Sequence, residues 1–549
     1  MRWAAPCGIL PIVERATPPG KGFFNRLERP SLATAAIIVA SGFLGSRVLG
    51  VIRSVAIADS FGDSSELGAY WVAFRLPDLI FQVLAGAAMG SAFIPTFARL
   101  FTNESEEAAW RLASSVLNLV AIATIVFAVL GFLLAPLLVP VMAPGLGEGT
   151  GQQEELRSLA VDLTRLMMLS PILFAVSGMF MGILNARHHF LFPAFAPMVY
   201  NAAIIVGAVA FDDVHALAAA MVIGAALHLA LQVPALMAVG MRYRPIAVWR
   251  DTAVREVARL MAPRMVGLAA FQFNLMITLF FASTVSDEAI SAVNYAWLLV
   301  MMPLGLFGMA IATAVFPTLA EQAVDDRAEL RRTLGQSLRM ILFLTIPAAV
   351  GLLLLSGPLV ESLFERGEFS PASTDLTSGV LTLFAVGLFA FAAAEILSRG
   401  FYALGDTRTP VAFAVVAVVT NLILSLVFVG PLEARGLALA VSLATILEAV
   451  LLFWALHARL RGLDLRSIAS SVVRTLVSTL LMAEVVGFFL ILLREAGRLD
   501  SGRFADAFLA LVGGGLLGGL IFLAAARALR SEEVETLLRR VPWPRRTVT

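Results

Sequence analysis

The chain reads as long apolar runs cut by short polar breaks. A helix that crosses a bilayer needs about 20 mostly apolar residues at 1.5 Å of rise each. Fourteen runs of that length occur, at about 32–57, 66–98, 110–142, 157–184, 191–211, 214–240, 262–284, 288–318, 338–357, 374–398, 410–430, 434–457, 468–493 and 505–529. Backbone polar groups in lipid must be satisfied within the segment, so runs of this kind predict helices. The expected fold is an all-α polytopic membrane protein with fourteen transmembrane helices.

The breaks alternate in charge. One set holds Arg99 and Arg111, Arg187, the cluster Arg242 to Arg259, Arg327 to Arg332, Arg399 and Arg408, and Arg459 to Arg466. The other holds Asp59, Asp63 and Glu66, then Glu148, Glu154 and Glu155, Asp212 and Asp213, Asp287 and Glu288, Glu365, Arg366 and Glu368, and Glu433 and Arg435. Arginine-rich loops stay cytoplasmic, so both termini are expected inside. The alternation weakens only between the last two helices, at Arg494, Arg498 and Arg503.

A short motif recurs. Ala92-Phe93-Ile94-Pro95-Thr96-Phe97-Ala98 closes the second run, and Ala314-Val315-Phe316-Pro317-Thr318-Leu319-Ala320 closes the eighth, at an offset of 222 residues. The repeat predicts two similar six-helix lobes, 31–240 and 262–462, with any site between them. Residues 241–261 would join the lobes. Their Val248-Trp249, Val254, Val257-Ala258 and Leu260-Met261 positions, interleaved with arginine, suggest an amphipathic helix lying on the membrane. Two further helices span 463–530. A basic tail (531–549) and an N-terminal extension (1–30) complete the chain and are expected in the cytoplasm.

Composition narrows the function. The 549 residues are 59% hydrophobic and 14% charged, against about 25% charged in soluble domains. A net charge of +1 points to no nucleic-acid partner. Lys21 is the only lysine and Cys7 the only cysteine, which leaves no disulfide within the chain and no cysteine metal site. Gly20-Lys21-Gly22 lacks the spacing of a phosphate loop. No nucleophile–base pair, metal-ligand spacing or cofactor fingerprint occurs, so neither an enzyme nor a cofactor is expected.

The exceptional chemistry is charge at membrane depth. Ser46-Arg47-Val48-Leu49-Gly50-Val51-Ile52-Arg53 puts two arginines in the first run. Such a charge costs several kcal/mol unless it faces water, a partner or a ligand. The two lie about 120° apart on a straight helix, so they share a face only if the helix bends, which Gly42, Gly45 and Gly50 permit. Guanidinium groups bind phosphate through two parallel hydrogen bonds, so Arg47 and Arg53 are candidate ligands for a phosphate or pyrophosphate. The plain alternative is snorkelling or pairing with an acid. Arg75 adds a third cation, with an ion pair to Asp78 as its plain alternative; Asp162 and Arg165 repeat that spacing. Asn118, Asn201, Gln272, Asn274, Asn294 and Asn421 are amides at depth, most often interhelical bonds. Glu395, Glu448 and Glu484 are lone carboxylates, with Glu395–Arg399 pairing the default. Proton coupling through one of them is the alternative.

These stretches resemble the MurJ/MviN family of lipid II flippases, within a superfamily that includes MATE exporters. The resemblance runs from about Ser31 to Arg530. It is carried by the helix-one stretch above, Ala73-Phe74-Arg75-Leu76-Pro77-Asp78-Leu79, Ala143-Pro144-Gly145, Leu184-Asn185-Ala186, Phe192-Pro193-Ala194-Phe195-Ala196-Pro197, Ser356-Gly357-Pro358-Leu359 and Phe401-Tyr402-Ala403-Leu404-Gly405-Asp406-Thr407-Arg408-Thr409-Pro410. It implies two MATE-like lobes plus two C-terminal helices in a bacterial inner membrane. It also implies a cationic central cavity for the undecaprenyl-pyrophosphate head of lipid II, and a groove by the last two helices for its tail. Arg47 and Arg53 match two of that family's functional arginines, and Arg75 matches a position that is usually Lys or Arg; Ser46 and Asn274 are further candidate substrate contacts. Some members bind sodium by a carboxylate near Asn421, where this chain has Ser425, so coupling to a monovalent cation or to the membrane potential is implied. Cell-wall synthesis enzymes are implied partners. The chain departs from the pattern at Gly68, Phe81, Gln82, Gly86 and Leu298, where acids or arginines are usual. A flippase for another polyprenyl-linked glycan, a MATE-like exporter and a non-transporting cell-wall scaffold stay open as alternatives.

Overall fold

The computed structural model describes residues 32–86, 93–148, 151–499 and 503–540. The N-terminal extension, Ala92 of the repeated motif and the tail beyond Arg540 lie outside them. All regular structure among the described residues is helical. In chain order, α1 is Leu32–Phe61; α2 is Ser65–Ile80, continued by a π-helical turn Phe81–Ala85 and by Phe93–Asn103; α3 is Glu106–Met142; α4 is Gln153–Met167 with Leu169–Ala186; α5 is Leu191–Ala210; α6 is Val214–Ala230 with Val233–Ala238. The second set is α7 Thr252–Val285; α8 Asp287–Pro303, a π-helical turn Leu304–Met309 and Ala310–Asp325; α9 Arg327–Phe364; and α10 Pro371–Ala385 with Leu388–Ala403. One helical element, Arg408–Arg459, follows; then come α13 Leu465–Glu495, α14 Phe504–Ala528 and a short α15 Glu532–Arg540.

By length and apolarity twelve elements can cross a membrane, or thirteen if the two α10 segments, bent by 44°, form one span. The fourteen spans expected from sequence are reached only by dividing Arg408–Arg459. Its 52 residues would make a rod of about 78 Å, more than twice the roughly 30 Å hydrocarbon core. The backbone breaks at Glu433 (φ 50°, ψ −134°), just after Pro431, which cannot donate to a helix. A Cβ added at Gly436 would overlap the Phe428 carbonyl, eight residues earlier. The chain therefore doubles back here. Residues 408–432 are α11 and residues 434–459 are α12.

Helices α2 and α8 begin at Ser65 and Asp287 and end at Asn103 and Asp325, an offset of 222 residues at both ends. Each carries a π-helical turn at the corresponding depth. The two meet across the centre of the molecule, where α7 also reaches α3. α1 packs along α5 because Gly42 and Gly45 admit Ala194 and Met198 to the backbone; a Cβ at Gly42 would overlap the Ala194 backbone. These glycines serve close packing rather than a bend, and α1 is one unbroken helix. α13 and α14 pack on each other and on α9.

One segment differs from expectation. The amphipathic stretch from Val248 to Met261 is not a separate surface helix. Residues 241–249 carry no helix, and from Thr252 the chain runs unbroken into α7. Asp251 caps that helix by accepting the Ala253 N–H at 2.9 Å. Salt bridges from Arg99 to Glu256, Arg111 to Asp251 and Arg244 to Glu107 hold this end against α2 and α3. A helix tied to neighbouring protein need not lie in the bilayer interface.

Candidate functional site

The three arginines point into different surroundings. Arg53, half-buried, donates from Nη1 to Asn201 Oδ1 on α5 at 3.1 Å. The same amide donates to the Ser46 carbonyl at 3.3 Å and the Pro197 carbonyl at 3.0 Å. Asn201 thus ties helix one to helix five, and Ser46 takes part through its backbone rather than its hydroxyl. Arg47 is exposed; its guanidinium lies 5.2 Å from the Phe43 ring centroid. It also lies against Gly305, in the π-helical turn of α8. Arg47 and Arg53 are therefore not a pair on one face, because α1 does not bend. Arg53 faces its own lobe and Arg47 faces the other.

Arg75 crosses between the lobes. It donates from Nη2 to Asn294 Oδ1 on α8 at 2.9 Å, and its Nε is buried with no hydrogen-bond partner. The intrahelical ion pair with Asp78 does not form. Asp78 instead accepts from Gln272 Nε2 on α7 at 3.0 Å and from Gln82 Nε2 at 3.4 Å. A small cavity beside Arg75 is lined by Thr278, Asn294, Trp297, Phe384 and Val441. Arg75 lies ten residues inside α2, Arg53 eight residues before the end of α1 and Asn294 seven residues inside α8. All three sit roughly 10–15 Å below the acidic-loop face. A buried charged donor left unpaired costs roughly 1–3 kcal/mol or more. Arg75 reaches from the first lobe into a cavity otherwise walled by the second.

The other expected contacts are internally satisfied. Asn421 donates to Asn274 Oδ1 at 2.8 Å and accepts from Ser425 at 3.3 Å. Asn421 and Ser425 are fully buried. Asn421 and Ser425 therefore read as interhelical bonding between α7 and α11, while Asn274, half-buried, takes part through its Oδ1. Asp162–Arg165 and Glu395–Arg399 pair at 3.6 Å, as expected by default. Where the family pattern is lost, the Phe81 ring lies tilted at 45° to that of Phe174, centroids 5.1 Å apart, and Leu298, half-buried, packs against the main apolar core.

The acidic-loop face of this space is sealed. Gly147 N–H donates to Asp287 Oδ1 at 2.9 Å, and Gly145 N–H donates to Ser283 Oγ at 3.4 Å. Tyr295 O–H donates to the Gly62 carbonyl at 3.0 Å, and Glu368 N–H to the Asp59 carbonyl at 2.9 Å. Each bond joins the first six helices or their loops to the second six. The contacts are backbone-close, so glycine is required. Gly367 has φ +54°, and a Cβ there would overlap the Asp59 carbonyl. Sequence reasoning singled out Ala143-Pro144-Gly145 only by resemblance. Which carbonyl that glycine meets depends on how the lobes dock.

Asp63 lies in this seal. Burial holds its carboxyl above the usual range, against a hydrogen bond from Ser373, and nearby Glu288 adds to the rise. Opening would return Asp63 to water and its ordinary pKa. The sealed form therefore binds the proton more tightly. That stabilisation is fully present below the ordinary value and fades as pH rises through the raised one. Spin labels on the 61–64 and 365–369 loops should report a larger closed fraction at pH 4 than at pH 7. Asp63→Asn should give the acid-like distribution at both; a pH response unchanged by Asp63→Asn would assign it to another group.

The model of one family, the lipid II flippase MurJ, matches residues 57–501. The chain belongs to that family. A lipid II flippase MurJ from Burkholderia cenocepacia is 32% identical over 435 residues, covering 77% of this chain and 84% of the relative. A probable lipid II flippase MurJ from Vibrio cholerae is 31% identical over 439 residues, covering 78% and 83%. A solved MurJ in an inward closed conformation superposes with a TM-score of 0.74 at 25% identity, over 92% of this chain and 100% of that one. Among more distant folds, an inward-facing MATE transporter scores 0.64 at 15% identity over 78% and 99%. An outward-facing one scores 0.54 at 17% over 81% and 100%.

Proposed function

We propose that this chain is a lipid II flippase of a bacterial inner membrane, with the arginine-rich face and both termini in the cytoplasm. The observation that carries the reading is Arg75. It is a half-buried guanidinium whose Nε is buried and unpartnered, between two lobes joined along the acidic-loop face. Lipid II would enter from the cytoplasmic leaflet, its pyrophosphate taken by Arg75 and Arg47, with Arg53 behind them. The fork geometry of guanidinium suits that group, and charge-assisted hydrogen bonds are the stronger kind. The lobes would then rock, breaking the seal at Gly145, Gly147, Gly62 and Glu368 and releasing the head group outside. The polyprenyl tail would stay in lipid along α13 and α14.

Coupling to the membrane potential fits a cationic cavity. One charge moved across 100 mV is worth roughly 2.3 kcal/mol, which would return the emptied cavity inward. A monovalent-cation site at Asn421 and Ser425 would have to open the amide–hydroxyl chain first. Contact with cell-wall synthesis enzymes belongs to the same proposal.

The test is replacement in living cells. The unmutated chain, expressed in bacteria depleted of their own lipid II flippase, should restore colony formation. Arg47→Ala, expressed to the same level, should not. Failure of the unmutated chain at normal membrane levels would overturn the substrate assignment. Full rescue by Arg47→Ala would overturn the cation capture.

A further inference from the structure

Away from the central space, a second polar cavity lies at the start of α13. Its volume is about 290 Å³, and its walls include Arg339, Arg466, Ser470, Arg474, Glu532 and Glu533. One water needs about 10–15 Å³ of such space, so there is ample room for several waters or for one phosphate with part of its ester.

The charges facing it divide into spent and unspent. Asp464 caps α13, accepting the Ser467 N–H at 3.0 Å. Arg339 is fully engaged: it donates to Ser467 Oγ at 2.6 Å and to Glu532 at 3.0 Å, and lies 3.5 Å from Glu533. Glu533 also accepts from Ser471 at 2.8 Å and Ser531 at 2.7 Å. All three acids are therefore committed to partners of their own. Arg466 makes neither an ion pair nor a hydrogen bond to the described residues. Arg474 gives one bond, to the Arg530 carbonyl at 3.0 Å, and has no acid.

The unspent pair is badly placed for an empty cavity. Arg466, Ser470 and Arg474 recur at four-residue spacing, so they form one stripe on α13. Arg466 stands in the first turn, where the helix dipole disfavours a cation. Arg474 sits about 12 Å further along a membrane-spanning helix, at a depth where an arginine draws polar groups in from the interface. An anion between them would remove both costs. The arginine-rich end of a spanning helix is also where lipid phosphates lie, and basic pockets between helices on that face suit anionic head groups.

We propose that this cavity binds the phosphate of an anionic phospholipid, held by Arg466 and Arg474 with Ser470 beside them. The site is distinct from Arg47, Arg53 and Arg75, and does not depend on what the central space carries. The bound lipid would staple α13 to α9 and to α15, the elements that wall the cavity.

The experiment uses the full-length chain, purified in mild detergent from membranes containing phosphatidylglycerol, with retained lipid counted by mass spectrometry. The unmutated protein should retain phosphatidylglycerol over phosphatidylethanolamine. Arg466→Gln/Arg474→Gln should lose at least tenfold of it, and Arg99→Gln, on a distant exposed pair, should lose none. Arg466→Gln alone guards against misfolding of the double variant, because Arg466 has no partner to lose; it should lose severalfold. Equal retention by the Gln variants would overturn the proposal. So would arginine-dependent binding of inorganic phosphate, seen by phosphorus NMR, in protein that retains no phospholipid.

Discussion

Arg75→Met is expected to cut delivery of lipid II to the outer leaflet at least tenfold. The change removes a guanidinium that crosses between the lobes with a buried, unpartnered Nε, and with it the 2.9 Å bond to Asn294. A hydrogen bond to a charged group contributes roughly 1.5–3 kcal/mol, and each 1.4 kcal/mol is a factor of ten. Losing one bond to pyrophosphate thus costs about ten- to hundredfold. Arg75→Lys keeps the charge but not the fork, and should fall between. The measurement is cleavage of lipid II by an enzyme added outside cells that carry the variant as their only flippase. Asn294→Ala separates binding from architecture. It breaks the same interlobe bond while leaving the cation, and should retain most activity. If it is as damaging as Arg75→Met, Arg75 serves as a tie between lobes and not as a ligand.

Gly145→Val is expected to open the acidic face. A Cβ there would overlap the Ser283 carbonyl and crowd Thr284. The α7–α8 corner must retreat, taking with it the bonds of Gly145 to Ser283 and of Gly147 to Asp287. A neutral bond and one to a charged acceptor together are worth about 2–4 kcal/mol. That is a shift of roughly 30- to 1,000-fold in the closed-to-open ratio. Ser291 is fully buried behind this seal. With Ser291→Cys as reporter in a Cys7→Ser background, a membrane-impermeant thiol reagent should label the Gly145→Val protein much faster from outside. Unchanged labelling would mean that another contact holds the face shut. Transport should fail as well, since the cycle needs both states.

Several features of this molecule were legible in the residues alone, and each for a stated reason. Lipid offers no hydrogen bonds, so spans announce themselves as apolar runs, and loop charge follows their alternation. Charge at depth is costly, so Arg47, Arg53 and Arg75 stood out. The repeated Pro-Thr segment located two matching helices, and their bounds agree at both ends. The hidden part was pairing. Six amides at depth look alike in sequence; only the packing of α1 on α5 makes Asn201 the partner of Arg53, and only α2 against α8 makes Asn294 the partner of Arg75. Asp78 lies one turn from Arg75 but bonds to Gln272 on α7 and to Gln82, while Arg75 turns to Asn294.

Local chemistry along the chain therefore determined the helices, the charged faces and the cations that need an explanation. Those follow from the hydrocarbon solvent and act residue by residue. Tertiary structure decided what each polar group touches: the chain of Asn274, Asn421 and Ser425, the glycine seal, the continuous α7 and the separate faces of Arg47 and Arg53. A hydrogen bond needs two partners within about 3.5 Å, and across helices that distance is set by docking, not by spacing. The helix-one stretch keeps its place at the site, but as two cations with different tasks. Arg53 is tied into its own lobe, while Arg47 and Arg75 face the other.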